Sequence, residues 1–250
     1  MARLLGFSLG SIWRWAGEGN AAELLGYARQ LGIDGIELNF SQDMLLGMRL
    51  DGRLLSWLRK LGYVSVHAPF ELQKPAGRHG AEELASQLDR IWDLYRRIRA
   101  KNFILHPSQL PGRRMLDWYG FSVSTENMSS GYGSSTAVLK KVMRDYPDIR
   151  LCLDVSHAFS VSGREAARLV AAFEDRISQV HLSCTCGGRT HQSLGRATKA
   201  FMRSIEPVKR LRVPFIVEED IRKKDMERVK DELRLARAIL SDPADEPDAI

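Results

Sequence analysis

The sequence predicts an α/β protein: a (β/α)8, or TIM, barrel whose fourth outer helix is short or missing. Three observations carry that expectation. Short β-branched or apolar runs alternate with longer segments of helical period, the pattern of parallel βαβ units. A chain of 250 residues with 44% hydrophobic content suits one large barrel core. Residues able to ligate metals recur at the carboxyl ends of successive runs, and a parallel barrel gathers those ends on one face.

In chain order, a strand-like run at Arg3–Ser8 is followed by an amphipathic stretch at Ala21–Leu31, and a second run at Gly35–Asn39 leads to a third at Val64–His67. The stretch Ala81–Ile98 has the period of a long outer helix and ends in the run Phe103–His106. The next connection is the exception. Pro107, Pro111 and Gly112 leave room for about one short turn around Met115–Tyr119 before the run Ser122–Glu126. The pattern then resumes, with helical stretches Ser135–Arg144, Arg164–Phe173, Lys199–Leu211 and Asp225–Ile239 around the runs Arg150–Asp154, Gln179–Leu182 and Phe215–Glu218. One barrel domain over residues 1–240 is expected. The remainder, 241–250, is acidic with little to bury, and a disordered tail is expected there.

Composition narrows the function classes. The net charge of +6 permits a phosphate-rich partner. Many of the cations, such as Arg96, Arg97 and Arg99, fall on helical stretches and read as a solvated outer face. Three cysteines, Cys152, Cys184 and Cys186, are too few and too odd for a secreted disulfide framework. Apolar stretches are too short to span a bilayer, and residues 1–15 do not read as a leader, so a cytoplasmic protein without a membrane partner is expected. Neither GxGxxG nor GxxxxGK[ST] occurs, which removes the usual sequence reason to propose a dinucleotide or P-loop site.

The chemistry lies at the strand ends. They read Val66-His67-Ala68-Pro69, Leu105-His106-Pro107, Thr125-Glu126-Asn127, Leu153-Asp154-Val155-Ser156-His157, Val180-His181-Leu182 and Val217-Glu218-Glu219-Asp220. Burial alone explains one strand-end histidine. It explains this recurrence poorly, because so many polar groups crowded together are costly to desolvate without a cation. Imidazole with carboxylate is the ligand set of zinc, manganese or a similar divalent ion.

The segment Cys152-Leu153-Asp154-Val155-Ser156-His157-Ala158-Phe159 resembles the endonuclease IV signature C-x-D-x-x-H-A-F, which carries an aspartate and a histidine ligand. Val180-His181-Leu182 and His191-Gln192-Ser193-Leu194-Gly195 are similar to that family's V-H-L and H-x-x-[IL]-G blocks, and His67, His106-Pro107, Glu126-Asn127 and Glu218 fall where the family has its other ligands. The resemblance spans strands three to eight. It is to the xylose isomerase-like barrel superfamily and, within it, to endonuclease IV.

Carried over, the resemblance implies His67, His106 and Glu126 around one metal and Glu126, Asp154, His181 and Glu218 around a second, with Glu126 bridging. In the complete endonuclease pattern His157 and His191 hold a third ion. This chain has Arg189 where the family has an aspartate, and a cation there argues against that third metal. Cys184 or Cys186 could supply a thiolate, though small buried thiols are the simpler reading.

Two functions are compatible with that resemblance. The first is a phosphodiester hydrolase acting on abasic or damaged DNA through two divalent metals, expected to be zinc with manganese or magnesium as alternatives, and using Glu126, Glu218 and His157 in catalysis. Lys74, Arg78, Arg113 and Arg114 could then grip phosphates, and Trp13, Trp15, Phe70, Trp118 and Tyr119 could stack on bases. The second is a sugar or sugar-phosphate isomerase or epimerase, in which a single ion on Glu126, Asp154, His181 and Glu218 binds adjacent sugar oxygens, the two glutamates shuttle a proton, and His157 and Arg189 bind substrate. In it Glu37 lines the mouth, unless it forms a salt bridge at the rim. His67 and His106 complete a position that a one-metal isomerase does not require, which favours the hydrolase.

Overall fold

The computed structural model describes residues 3–16, 20–39, 50–69, 72 and 77–241, the side chains of 77–79 excepted. Eight parallel strands close into a barrel: β1 (Leu5–Ser8), β2 (Gly35–Asn39), β3 (Tyr63–His67), β4 (Asn102–Leu105), β5 (Val123–Glu126), β6 (Arg150–Asp154), β7 (Ile177–Leu182) and, after an antiparallel hairpin of β8 (Cys184–Cys186) and β9 (Arg189–Gln192), β10 (Phe215–Val217). Around the barrel the order is β1-β10-β7-β6-β5-β4-β3-β2. The expected (β/α)8 barrel is therefore the fold, and each expected strand lies within two residues of the observed one at either end.

The helices are α1 (Ala21–Ala28), α2 (Gly52–Lys60), α3 (Gly77–Ile98), α4 (Arg113–Tyr119), α5 (Thr136–Asp145), α6 (Val155–Val161), α7 (Glu165–Phe173), α8 (Lys199–Lys209) and α9 (Met226–Leu240). Side chains cap most of them: Asn20, Asp51, Ser135, Thr198 and Asp225 each accept from a backbone N–H in the first turn, satisfying donors that the helix itself leaves unpaired. The fourth outer helix is short, as expected: α4 has 7 residues against 22 in α3, and Gly120 ends it in the left-handed region at φ 66°. An aromatic cluster fills the flank beside it, with Phe121 packed at 4.9 Å from Trp92 and 4.6 Å from Phe103. Among the described residues no helix is long and apolar enough to cross a membrane. Of the expected tail, 241–250, Ser241 caps α9 and residues 242–250 lie outside the described residues.

What positions the site is a division of the strands into two faces. The large apolar side chains Leu5, Phe7, Ile36, Leu38, Val64, Val66, Phe103, Leu105, Leu151, Leu153, Val180 and Phe215 join the core between barrel and helices. Alternating with them are Ser8, Glu37, Ser65, His67, Asn102, Ser124, Glu126, Asp154, Gln179 and His181, all buried. Successive side chains of a strand point to opposite faces, so this second set fills the barrel interior. Barrel interiors usually hold bulky branched residues. Here a hydrogen-bonded polar column runs through the interior beside Ile104, Cys152 and Ile216: Tyr63 donates to Gln179 at 2.7 Å, Asn102 donates to Gln179 at 3.2 Å, and Ser124 donates to Asn102 at 2.8 Å.

One loop glycine ties the strand ends together. Gly133, at φ 95°, packs so closely on the Pro107 ring, next to His106, that a Cβ there would overlap it. Gly133→Ala is expected to cost about 1–3 kcal/mol of stability, read by denaturant melts.

Candidate metal centre

The strand ends converge. Three groups of potential ligands form at the carboxyl face, each with donor atoms within 4.8 Å of one another: His67, His106 and Glu126; Glu126, Asp154, His181 and Glu218; and Asp154, His157 and His191. The first two are the groupings that the resemblance implies; in the third, Asp154 joins His157 and His191. The third assembles without Arg189, whose side chain is exposed on β9.

Glu126 stands between the first two groups, and its two oxygens face different partners. Oε2 lies 3.1 Å from His67 Nε2 and 3.6 Å from His106 Nε2. Oε1 lies 3.3 Å from His181 Nδ1 and 3.4 Å from His157 Nδ1. Asp154 is divided in a similar way. Oδ1 caps α6 by accepting from the His157 N–H at 2.6 Å, whereas Oδ2 is buried without a hydrogen-bond partner. A buried unpartnered carboxylate oxygen is costly. Its position in two of the three groups is what a cation would satisfy.

Second contacts set which ring nitrogen faces inward. His67 Nδ1 lies 2.9 Å from the Ala68 carbonyl, which leaves Nε2 for the site. His157 Nδ1 meets the Asn127 carbonyl at 2.9 Å and His191 Nδ1 meets the Glu218 carbonyl at 3.1 Å. Their Nε2 atoms then face one another at 3.0 Å. Two imidazole lone pairs at that distance require an electron-poor centre between them, a proton or a metal ion. His191 adopts the left-handed region, at φ 52°, which non-glycine residues rarely take. Asn127 locks the ends of β5 and β6 by donating to the Asp154 carbonyl and accepting from the Asp154 N–H, both at 2.8 Å.

The electrostatics show the same demand for positive charge. Burial opposes charge on the His67 ring, yet the hydrogen bond and charge of Glu126 outweigh it and raise its pKa to about 9. His157 rises to about 10 against the same burial penalty, through Asp154 and Glu126. His106 falls to about 4, because burial and neighbouring His67 both disfavour its protonation. Burial works against ionisation of Glu126 and Glu218 too, but His181 and the other imidazoles hold Glu126 well below the usual range and Glu218 at about 2. Burial pushes Asp154 up. Without metal the acids are thus balanced by imidazolium protons, and divalent cations are the natural replacement. The site residues fit the ions that the resemblance implies.

The other expected site residues are distributed differently. Arg113 pairs with Asp148 at 3.0 Å, before β6 and so toward the opposite end of the barrel, and Arg114 is exposed on α4. Neither joins the ligand groups. Trp15 is buried and donates to the Ile221 carbonyl at 2.8 Å, and Tyr119 is buried and donates to Ala85 and Asp89; packing claims both. Trp118 is 85% exposed on α4, and Trp13 is 50% exposed beyond β1 with the Arg14 guanidinium 4.3 Å over its ring. Phe70, Lys74 and the Arg78 side chain lie outside the described residues. Burial raises the Cys184 thiol to about 11, so it packs as an uncharged group.

Glu37 is corrected. It is neither a mouth residue nor a rim ion pair but is fully buried in the barrel, 3.1 Å from His181 Nε2. The polar–apolar alternation of Gly35-Ile36-Glu37-Leu38-Asn39 was the available signal, since Ile36 and Leu38 belong to the outer core.

No protein-family model and no curated protein sequence matches the chain. Solved structures do. Endonuclease IV from Thermus thermophilus superposes with a TM-score of 0.69 at 20% identity, covering 95% of this chain and 98% of the other. A D-tagatose 3-epimerase-like protein gives 0.67 at 16% identity, covering 95% and 100%. An L-ribulose 3-epimerase gives 0.63 at 17% identity, covering 95% and 91%. The fold is a TIM barrel that endonuclease IV and sugar epimerases also have. Among its described residues the chain brings together, at the carboxyl face of that barrel, three groups of side chains that could hold a metal ion.

Proposed function

We propose that the protein is a divalent-metal-dependent phosphodiester hydrolase acting on abasic or damaged DNA, with zinc as the preferred ion and manganese or magnesium as substitutes. The fold supports a hydrolase and a sugar isomerase equally. The observation that favours hydrolysis is the division of Glu126, one oxygen toward His67 and His106 and the other toward His181 and His157. A one-ion isomerase makes no use of the His67–His106 half.

His67, His106 and Glu126 would hold one ion, Glu126, Asp154, His181 and Glu218 a second, and Asp154, His157 and His191 offer a third position. Bound there, divalent cations polarise a phosphoryl oxygen and make water nucleophilic near neutral pH. The protein's own groups do the rest. Glu218 is less enclosed than Glu126 and Asp154, and we assign it to receive the proton of the attacking water. His157, anchored on Asn127 and beside Glu126, would supply positive charge to the phosphodiester, as imidazolium while the third position is empty or through an ion held there with Asp154 and His191. Of the residues expected to stack a base, Trp13 and Trp118 are described and exposed.

The test is incision of a duplex containing one abasic site by zinc-loaded protein. Incision is expected, and His106→Ala should reduce it about 100-fold or more, since even residues that only orient metal ligands are worth about 10–100-fold. Ketose epimerisation by the wild type that His106→Ala leaves intact, without incision, overturns the proposal in favour of the one-ion isomerase.

A further inference from the structure

The polar column inside the barrel ends at His181, and what it does there is specific. His181 is fully buried, with Nδ1 2.9 Å from Glu218 Oε2 and 3.3 Å from Glu126 Oε1. Only Nδ1 therefore faces the other members of the four-residue group. To ligate through Nδ1, the ring must carry its proton on Nε2. Glu37 Oε2 lies 3.1 Å and Gln179 Nε2 2.9 Å from Nε2, and the buried Cys152 thiol is also hydrogen-bonded to the ring.

Glu37 and Gln179 make opposite demands. An amide NH2 donating to His181 Nε2 would place the ring proton on Nδ1 and close the ligand position. A carboxylate accepting from Nε2–H opens it. The orientation of the Gln179 amide follows from its remaining partners: Oε1 accepts from Tyr63 at 2.7 Å and Asn102 at 3.2 Å, and Nε2 donates to Glu37 at 2.7 Å. Glu37 itself is held by Ser65 at 3.0 Å and Ser8 at 3.4 Å. Donors from Ser8, Ser65, Gln179 and His181 thus converge on one acceptor-only group, and Glu37 is where the network ends.

We infer that Glu37 is the positioning residue of the metal centre: it takes the Nε2–H of His181, holds the ring against the Gln179 amide, and so presents Nδ1 as a ligand. Carboxylate–histidine–metal arrangements of this kind orient the ring and raise its basicity. The inference rests on the metal-binding reading above and deepens it, assigning to a residue of the second strand control over a ligand on the seventh. No substrate contact is involved.

Glu37→Gln tests it, because the amide has nearly the shape of the carboxyl but adds a donor and removes the charge. The dissociation constant for zinc is expected to rise about 10–100-fold while the melting temperature of the metal-free protein shows that the barrel is intact. Imidazole 15N–1H NMR gives the readout that simple core filling would not move. In zinc-loaded wild type, His181 should be bound through Nδ1 with the proton on Nε2. In Glu37→Gln the Nδ1–H tautomer should gain population. Glu37→Asp, which keeps the charge but retracts it, should retain the Nε2–H tautomer and lose less affinity, and it serves if the Gln variant does not fold. Unchanged zinc affinity in Glu37→Gln, or wild-type His181 bound through Nε2, overturns the role of Glu37 while leaving the metal centre standing. Absence of any His181 shift on adding zinc overturns the metal reading itself.

Discussion

Glu126→Gln is expected to lower activity at least about a thousandfold, equivalent to ~4 kcal/mol of transition-state stabilisation. The reason is the position of the side chain. Each of its oxygens faces a different ligand group, so one substitution weakens both, and the amide nitrogen of glutamine cannot ligate a cation from whichever side it occupies. Loss of the carboxylate also leaves His67, His157 and His181 without their shared counter-charge, and removing one partner of a buried ion pair costs about 3–5 kcal/mol. Activity assays combined with metal analysis check the first effect, and denaturant unfolding of metal-free protein checks the second. A variant that keeps full metal content and activity would show that Glu126 is not a bridge.

Zinc at about a thousand times its dissociation constant is expected to stabilise the fold by about 4 kcal/mol, reversed by chelator, and the gain should grow as pH rises. In metal-free protein His67 and His157 have pKa values raised from 6.5 to about 9 and about 10. A raised imidazole contributes stability that is fully present below about pH 6.5 and lost as pH climbs through the folded value, about 1.4 kcal/mol per unit for each proton. Metal-free protein should therefore weaken from pH 6.5 toward 10. Binding a cation expels the same protons, so zinc affinity should rise over that window. Glu218, lowered to about 2, acts in the opposite direction: its contribution is present above about pH 4.5 and is lost as pH falls toward 2. His106, lowered to about 4, costs stability as pH falls from about 6.5 toward 4, because the unfolded chain takes up a proton there that the folded one does not, and its effect fades above that window. Thermal melts with and without zinc at about pH 6, 7.5 and 9 check the prediction. A gap between the two curves that narrows with pH would contradict it.

Much of the site was legible because ligands at strand ends sit beside recognisable local patterns. Asp154 and His157 are three residues apart, and His67, Glu126 and His181 close their strands or lie one residue from the end. Residues assigned on composition alone fared less well. Arg113, Trp15 and Tyr119 have the right chemistry for a DNA-facing mouth, but a partner at Asp148 and packing behind β1 and beside α4 claim them. Sequence reading knows a side chain's chemistry and not which neighbour reaches it first. The hairpin of β8 and β9 was also not foreseen. It places His191 opposite His157 while Arg189, two residues earlier, is turned to solvent, so the substitution that argued against a third position does not enter the cluster.

The amino-acid order alone determined the barrel, its stunted fourth helix and the type of chemistry at its mouth. Those properties follow from periodicity, from proline and glycine, and from residue types at strand ends, all of which act over a few residues. Three-dimensional closure decided the rest: which oxygen of Glu126 faces which histidines, that Asp154 keeps one oxygen unpartnered, and that Glu37 lies beneath His181 rather than at the rim. Glu37 and His181 are 144 positions apart. Only the meeting of β2 and β7 across the barrel interior brings them within hydrogen-bonding distance, and no local pattern encodes a contact made across a closed sheet.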